Sequence, residues 1–429
     1  MIARIATAAA LLLAVIGAAP LGSTAVTGID LGSAKLYEAA DPGAQLAGVQ
    51  FSLPGGLDRE SPAQNGLAAL SAQVVLSAPI GALGLQDAIA AHGGSISYIV
   101  GQQSVRFYLE STPEGLPRLI ALLQHALSAP DTSAGTLAKA RESVRTRIAQ
   151  DERNPIEVGI AMLRQSYYEG GAGLPTLGTS ASIANFSGTD VRAFIAAHYR
   201  RGGTIVTAVG QVDEAVTDAS KALVAALPDG PAAPVITTTR ALAVNAKRIV
   251  THREIGVPYV VLGFAAPSIG DKDFGPMLVV RSLLSDVFDR QSATTLPAYS
   301  RAVGVAYAYD AKPSSLAVYV NGGQLDPTAG LSSIDAVLRG IASKTLNPLL
   351  LKRYTVRAHG EWETESLSLE DRAWSIGNFV EQGNDPGYAQ AVLAAIDATT
   401  GADVQRVARK YLQRFTVALV LPRDPAPTN

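Results

Sequence analysis

The fold is decided by the stretch Asp190-Val-Arg-Ala-Phe-Ile-Ala-Ala-His-Tyr199, which is followed by Thr204-Ile-Val-Thr-Ala-Val-Gly210. A similar stretch recurs later as Asp403-Val-Gln-Arg-Val-Ala-Arg-Lys-Tyr411, followed by Phe415-Thr-Val-Ala-Leu-Val-Leu421. Each predicts an amphipathic helix that ends in Tyr, then a basic turn and a buried strand. The repetition indicates an internal duplication of one structural unit.

The two units flank a segment that is rich in turn-forming residues. Three prolines and a glycine lie in Leu227-Pro-Asp-Gly-Pro-Ala-Ala-Pro-Val235 and predict a linker. We assign an N-terminal domain to residues 28–227, the linker to 228–239 and a C-terminal domain to 240–429. Each half begins with strands, continues through helices and returns to strands. The sequence therefore predicts an α+β fold of two similar halves, each a mostly antiparallel sheet with helices packed on it.

Composition limits the classes of function. The 429 residues suffice for two or three domains, and 48% hydrophobic with 17% charged residues is typical of a globular core. The formal net charge is −2 and there is no basic tract, so we expect no nucleic-acid partner. With no Cys, the chain forms no disulfide, thiolate metal site or lipid-modified cysteine.

The first residues resemble a secretory signal. Arg4 precedes an apolar run from Ile5 to Ala19, and small residues follow in Leu21-Gly-Ser-Thr-Ala25. The run is short for a bilayer span and ends at Pro20, so we expect a signal peptide over 1–25 and no stable membrane span. The alanine-rich composition suits a bacterium. The chain is therefore expected to be periplasmic or secreted.

Several segments of the first half resemble the pitrilysin/insulinase (M16) family of zinc metallopeptidases. They are Val49-Gln-Phe-Ser-Leu-Pro-Gly-Gly56, Gly66-Leu-Ala-Ala-Leu-Ser-Ala-Gln73, Leu85-Gln-Asp-Ala-Ile-Ala-Ala-His-Gly-Gly94 and Ser95-Ile-Ser-Tyr-Ile-Val100. The resemblance extends from about Gly28 through the second half. It implies two similar halves that face each other like a clam shell, and in active members a helix with an inverted zinc motif, two His with a Glu beside the second.

This chain lacks that motif. The resemblance places its positions on Ala69, Ala72 and Gln73, and the third ligand, a Glu of a later helix, falls on Arg147 or, in a shifted register, on Gln150. Residues four apart share a helix face, but methyl groups donate nothing to zinc and an amide is a poor ligand. Without Glu at 72 no base activates a metal-bound water. We therefore expect a non-catalytic member with no cofactor of its own; the apolar spacing alone predicts a plain buried helix.

The histidines offer no substitute. His92, His125, His198, His252 and His359 never stand three to five residues apart, so they form no local metal clamp. His198 lies at the end of a predicted helix, where a charged imidazole would suit the helix dipole, and we interpret it as structural.

In the second half, Arg301-Ala-Val-Gly-Val-Ala-Tyr307 resembles an Arg-x5-Tyr segment that holds the substrate backbone in the family. A guanidinium fork binds carbonyl or carboxylate oxygens, and a phenol adds a donor. The resemblance implies that Arg301 and Tyr307 form a substrate-holding pair. The alternative is a surface Arg and a core Tyr, because Val303, Val305 and Tyr307 alternate as in a strand.

Missing ligands together with a retained Arg/Tyr pair resemble the two-chain members of the family. The chain is then the non-catalytic subunit of a periplasmic heterodimeric zinc peptidase, and its partner is a catalytic M16 subunit that carries the zinc and cleaves peptide substrates. The alternatives are a stand-alone peptide-binding or assembly protein on the same fold, and an enzyme with a different site. Ser95 to Val100 could add a peptide as an extra strand if it lies at a sheet edge.

Overall fold

The structure is a computed structural model that describes residues 24–236, 240–241, 247–293, 302–321 and 327–423. Within these ranges the strands form a six-stranded sheet in the first half, a five-stranded sheet in the second half and two short ribbons. Helices pack on both larger sheets, and most neighbouring strands are antiparallel. The predicted α+β fold is therefore confirmed. Residues 1–23 of the expected signal peptide lie outside the described residues.

The first half supplies the six-stranded sheet. The strands of this half are β1 (Thr27–Leu31), β2 (Ala34–Ala40), β3 (Ala47–Pro54), β4 (Pro79–Ile80), β5 (Leu83–Gly84), β6 (Ser95–Val100), β7 (Ser104–Ser111), β8 (Tyr168–Glu169) and β9 (Ile205–Gly210). Strands β4, β5 and β8 belong to the short ribbons, and the other six form the sheet. Its helices are α1 (Leu67–Leu76), α2 (Leu85–Ala91), α3 (Leu116–Ser128), α4 (Ala134–Arg153), α5 (Pro155–Tyr167), α6 (Ser180–Asn185), α7 (Gly188–His198) and α8 (Glu214–Ala226).

The second half supplies the five-stranded sheet. The strands of this half are β10 (Arg240–Ala241), β11 (Arg248–Arg253), β12 (Tyr259–Ala266), β13 (Val303–Ala308), β14 (Ser314–Asn321) and β15 (Thr416–Pro422). Strand β10 belongs to a short ribbon, and the other five form the sheet. Its helices are α9 (Phe274–Ala293), α10 (Pro327–Ser343), α11 (Pro348–Thr364), α12 (Leu369–Glu381), α13 (Tyr388–Asp397) and α14 (Gly401–Tyr411). None of the helices in the described ranges combines the length and the apolar content that crossing a bilayer requires.

The two sheets have corresponding strand orders. The first runs β1-β2-β9-β3-β7-β6 and the second runs β11-β15-β12-β14-β13, so that β2 corresponds to β11 and β9 to β15. In both sheets these two strands are parallel, whereas the remaining neighbours are antiparallel. A shared order with the same parallel pair supports the duplication that the repeated stretches indicate.

The repeated stretches form the elements that the sequence predicts. The helix of each stretch, α7 or α14, is followed by a strand, β9 or β15. Each helix begins with a capping box, formed by Ser187 with Asp190 and by Thr400 with Asp403. The capping hydroxyls lower the pKa of both carboxyls, because they donate to the charged form. The same local chemistry therefore starts the same helix twice.

The predicted linker is bound to the first half over part of its length. The backbone N–H of Ala233 donates to Ala197 O at 2.9 Å, and that of Ile236 donates to Asp58 O at 2.9 Å. Farther on, β10 pairs with β8 of the first half. Residues 231–236 thus run along the surface of the first half.

One helix of each half packs on the sheet of the other half. Helix α5 lies on β12 and β15, and helix α12 lies on β3 and β9. Gly159 of α5 permits a close approach, because a Cβ atom there would lie 2.4 Å from Val261 Cγ2. Leu163, Val261 and Ala418 form a small apolar cluster at this contact. Each sheet is therefore covered on one face by its own helices and on the other by a helix from the opposite half.

The contact between α12 and the first sheet is polar. Arg106 on β7 is 2% exposed and donates to Glu381 Oε2 at 2.5 Å, while Ser104 donates to Glu381 Oε1. Thr207 Oγ1 donates to the carbonyl of Ala373 at 3.1 Å. Trp374 adds its ring face, 5.7 Å from the Arg106 guanidinium carbon. A buried ion pair thus joins the two halves.

The start of α1 depends on a buried carboxylate. Gly66 precedes the helix with φ +99°, and a glycine side chain cannot cap the first turn. Glu60, which is 0% exposed, accepts instead from the backbone N–H of Ala68 at 2.7 Å and from Asn65 Nδ2 at 2.9 Å. Burial raises the pKa of Glu60 to about 7, although these hydrogen bonds lower it.

We expect the ion pair between the halves to matter for stability. Glu381→Gln leaves the Arg106 charge buried without a carboxylate and should lower the free energy of unfolding by about 3 kcal/mol or more. The double variant Arg106→Met/Glu381→Leu should lose much less, because no lone charge remains. Urea unfolding measures both. Asp218→Asn, which breaks the exposed pair with Lys221, is the control and should cost below about 1 kcal/mol. Equal losses in the single and double variants would contradict this account.

We expect Glu60 to make stability depend on pH. Its pKa is raised from 4.5 to about 7, so the stability it contributes is fully present below about pH 4.5 and is lost as pH rises through about 7. Relative to Glu60→Gln, the wild type should lose about 3 kcal/mol of unfolding free energy between pH 4 and pH 8, at about 1.4 kcal/mol per pKa unit. Urea unfolding across this range tests it, with exposed Glu114→Gln as the control. A constant difference between wild type and Glu60→Gln would refute it.

Candidate functional site

The predicted zinc-motif positions lie on α1, in the interior of the first half. Ala69 and Ala72 are 0% exposed and Gln73 is 6% exposed. Helix α1 packs against α4 and α7, and every one of its residues is buried. The amide Nε2 of Gln73 donates to Ser77 Oγ at 3.5 Å. The positions thus form part of the core, as the apolar spacing of the helix also predicts.

The third position lies on α4, beside α1. The Arg147 guanidinium carbon lies 4.5 Å from the centre of the Tyr98 ring on β6. Burial raises the pKa of Tyr98, and the charge of Arg147 opposes that rise. Arg147 and Gln150 line an open groove of about 670 Å³ along α4. The structure therefore brings α1, α4 and β6 together.

These residues do not fit a zinc ion. Two methyl groups offer no donor atom, the Gln73 amide contacts Ser77, and a cationic guanidinium stacked on a ring repels a cation. No group of three or more His, Asp or Glu side chains that could hold a metal occurs in the part of the chain that the structure describes. The chemistry available here is packing and polar contact rather than activation of water.

Strand β6 lies at the edge of the first sheet. Among the described residues it pairs only with β7, and its alternating pattern leaves Ile99 42% exposed. Ser97 donates to Glu370 Oε1 of the second half at 2.8 Å. An edge strand can bind an extended peptide through its backbone groups. The alternating strand expected from the sequence is therefore present, and it lies at an edge.

Tyr307 lies on β13, which corresponds to β6 and is an edge strand of the second sheet among the described residues. Its hydroxyl donates to the carbonyl of Pro267, and its ring centre lies 5.5 Å from that of Phe274 and 5.7 Å from that of Tyr309. Burial raises the pKa of Tyr307 well above its usual value. Arg301 lies outside the described residues. The Arg/Tyr pair therefore stays a prediction.

A cavity of about 640 Å³ lies at the seam between the halves. Arg59 and Gln103 of the first half line it together with Glu381 of α12 and Pro231. Arg59 donates from Nε to Ala233 O at 3.1 Å and from Nη1 to Gln103 O at 3.0 Å. Burial lowers the pKa of Arg59. This cavity belongs to the polar contact that holds α12 on the first sheet.

Sequence reasoning missed the buried charged residues. A helix that begins at Gly66 without a capping side chain implies an acceptor elsewhere, and that signal could have indicated Glu60. Arg106 and Glu381 are 275 residues apart, and nothing local in the sequence indicates their pairing. The expected charged state of His198 is wrong, because burial lowers its pKa to about 4 and leaves the imidazole neutral at pH 7.

Comparison with known proteins gives a family match over part of the chain. Residues 185–346 match the family model of the peptidase M16 inactive domain. No curated protein sequence matches the chain at a significant level. A protease from Helicobacter pylori has a similar structure, with TM-score 0.81 and 15% identity over 93% of this chain and 100% of that one.

Two further solved structures share the fold. The peptidase M16 inactive domain from Pseudomonas fluorescens has TM-score 0.79 and 15% identity over 93% of this chain and 98% of that chain. A chain of complex III2 from Candida albicans with Inz-5 bound has TM-score 0.76 and 15% identity over 93% of this chain and 96% of that one. At such identities these likenesses establish the fold alone. The resemblance inferred from the sequence is thus confirmed: residues 185–346 match the model of the peptidase M16 inactive domain, and the chain carries the M16 fold.

Proposed function

We propose that this chain is the non-catalytic subunit of a heterodimeric M16-type zinc peptidase, in which it supplies half of a peptide chamber. One observation carries the proposal: the positions of the zinc motif, Ala69, Ala72 and Gln73, are buried on α1 while the surrounding fold is intact. A partner with the complete motif then supplies the zinc. This chain contributes shape and peptide-binding groups.

The proposed substrate-holding pair is Arg301 with Tyr307. The Tyr307 hydroxyl donates a hydrogen bond to the carbonyl of Pro267, but a phenol oxygen also has lone pairs that accept from a peptide N–H. The guanidinium of Arg301 would bind the peptide carbonyls. Tyr307 lies on β13, which is an edge strand among the described residues, and Arg301 precedes this strand in the sequence; both facts support a role in holding an extended chain.

The proposed compartment is the periplasm. The signal-like residues 1–25 support export, and the absence of Cys means that an oxidising compartment adds no disulfide. Peptides that enter the periplasm would then be the substrates of the pair.

A second function, peptide binding or assembly without a catalytic partner, is favoured by β6. This strand presents a backbone edge beside the groove of α4, and neither feature needs a metal. The two functions differ in whether a zinc-bearing chain binds.

The deciding experiment is co-expression with an M16 chain that carries the intact inverted zinc motif. Alone, this protein should contain no stoichiometric zinc by atomic absorption and should not cleave a quenched fluorescent peptide. Together, the two chains should elute as a heterodimer that cleaves the peptide, with an interface above about 1,000 Å² in total. Arg301→Ala should lower turnover about tenfold or more, equivalent to about 1.4 kcal/mol of transition-state binding, and leave assembly intact.

The matched control is Arg339→Ala, which removes an exposed guanidinium paired with Asp335 on its own helix. It should change neither assembly nor turnover. Equal activity from the partner alone would eliminate the subunit function, and binding of peptides without the partner would favour the second function. Stoichiometric zinc in the isolated chain would overturn both.

A further inference from the structure

The second sheet has an edge that its counterpart in the first sheet does not have. Strand β2 is paired with β9 on one side and with β1 on the other. Strand β11 takes the same place beside β15, and among the described residues it has no second neighbour. Among the described residues, no strand therefore takes the place beside β11 that β1 takes beside β2.

The free side of β11 presents unpaired backbone groups. The carbonyls of Lys247 and Arg253 accept from Val417 N and Arg423 N, so the odd-numbered residues of the strand face β15. Because a parallel strand directs alternate residues to opposite sides, Arg248, Val250 and His252 direct their backbone groups away from β15. The His252 carbonyl accepts from Arg253 Nη1 at 3.1 Å. The N–H and C=O groups of Arg248 and Val250 face the open side.

A row of residues across each sheet shows what covers this place in the first half. In the first sheet, the residues that pair from strand to strand start with Ile29 of β1. The residues that follow it are all buried, and they are Leu36, Val206, Phe51, Phe107 and Tyr98. The second row consists of Arg248, Val417, Leu262, Val318 and Val305. Arg248 is exposed where Leu36 is 0% exposed. Leu36 is thus paired with Ile29 of β1, whereas Arg248, at the corresponding position of β11, has no such partner among the described residues.

The surroundings of this edge are positively charged. Lys247, Arg248, Arg253 and Arg423 lie on or beside β11, and all but Arg253 are exposed. Glu254 lies 3.5 Å from Arg423. Arg253 lines a groove together with Asp151, Glu152 and Glu157, so the positive charge of this edge is concentrated at Lys247 and Arg248. Val250 adds an apolar side chain that is 44% exposed. A second copy of β11 fits poorly, because antiparallel pairing about Val250 would place Lys247 opposite Arg253.

We propose that β11 binds an extended, acidic segment of a partner protein, which adds to the second sheet as an antiparallel strand in the place that β1 takes on β2. Carboxylates of that segment lie opposite Arg248, where β1 presents Ile29 to Leu36. The outward backbone groups of Arg248 and Val250 supply the affinity that does not depend on sequence. This docking is independent of the zinc-bearing partner and uses the edge remote from Tyr307.

The test uses the fluorescein-labelled peptide Glu-Val-Glu-Val-Glu-Val-Glu and its Lys-Val counterpart, with the full chain, in fluorescence anisotropy at about 50 mM salt, where surface charges are weakly screened. The acidic peptide should bind at least tenfold more tightly than the basic one. Arg248→Glu should weaken it tenfold or more, and Arg339→Glu, on the exposed face of α10, should not. Absence of binding, or equal binding of both peptides, overturns the proposal.

Val250→Pro separates strand addition from simple charge attraction. It removes one outward N–H, keeps every charge and leaves the bonds to β15, so binding should fall tenfold or more. Val250→Thr keeps the N–H and should bind as the wild type does. Unchanged binding in Val250→Pro overturns strand addition. If that variant unfolds, hydrogen exchange of the wild type decides: the amides of Arg248 and Val250 should gain protection only with the acidic peptide, and unchanged exchange overturns the proposal.

Discussion

Each half of this protein depends on a helix of the other half to cover its sheet. Helix α5 fills the face formed by β12 and β15, and α12 fills the face formed by β3 and β9. Separation of the halves would expose Val261 and Ala418 on one side and the Arg106–Glu381 ion pair on the other. Since hydrating apolar surface is unfavourable and splitting a buried ion pair is costly, the halves form one structural unit. The elements around α1 and β6 are therefore held by residues from both halves.

The two exchanged contacts differ in character. The α5 contact is apolar and close, and Gly159 allows the backbone to approach Val261. The α12 contact buries polar groups, among them Gln50 and Thr207, whose partner is the carbonyl of Ala373. Apolar packing tolerates small shifts, whereas an ion pair and hydrogen bonds require one geometry. The polar contact thus fixes the position of α12, and with it Glu381 and the seam cavity.

Local signals in the sequence predicted the repeated units well. The helix of 188–198 and the strand of 205–210 follow from apolar spacing within a short stretch. The exchange of α5 and α12 was not predictable, because amphipathic spacing indicates that a helix face is buried but not against which sheet. The role of Glu60 was also not predictable, because its partners Asn65 and Ala68 lie in a turn and at the start of α1. Residue types alone predicted that Ala69 and Ala72 offer no zinc ligand, but not that Arg147 stacks on Tyr98.

Duplication makes the differences between the halves informative. Both sheets share their strand order. A strand that has a second neighbour in one sheet and none in the other, among the described residues, therefore marks a difference between the two copies. Strand β1 pairs with the outer side of β2, and Leu36 of β2 is buried. Among the described residues, no strand pairs with the outer side of β11, and Arg248 lies at the position that corresponds to Leu36. A solvent-facing edge normally requires charge to prevent unwanted strand pairing, and the same charge selects for an oppositely charged strand. The residue at this place therefore both protects the edge and specifies what can pair with it.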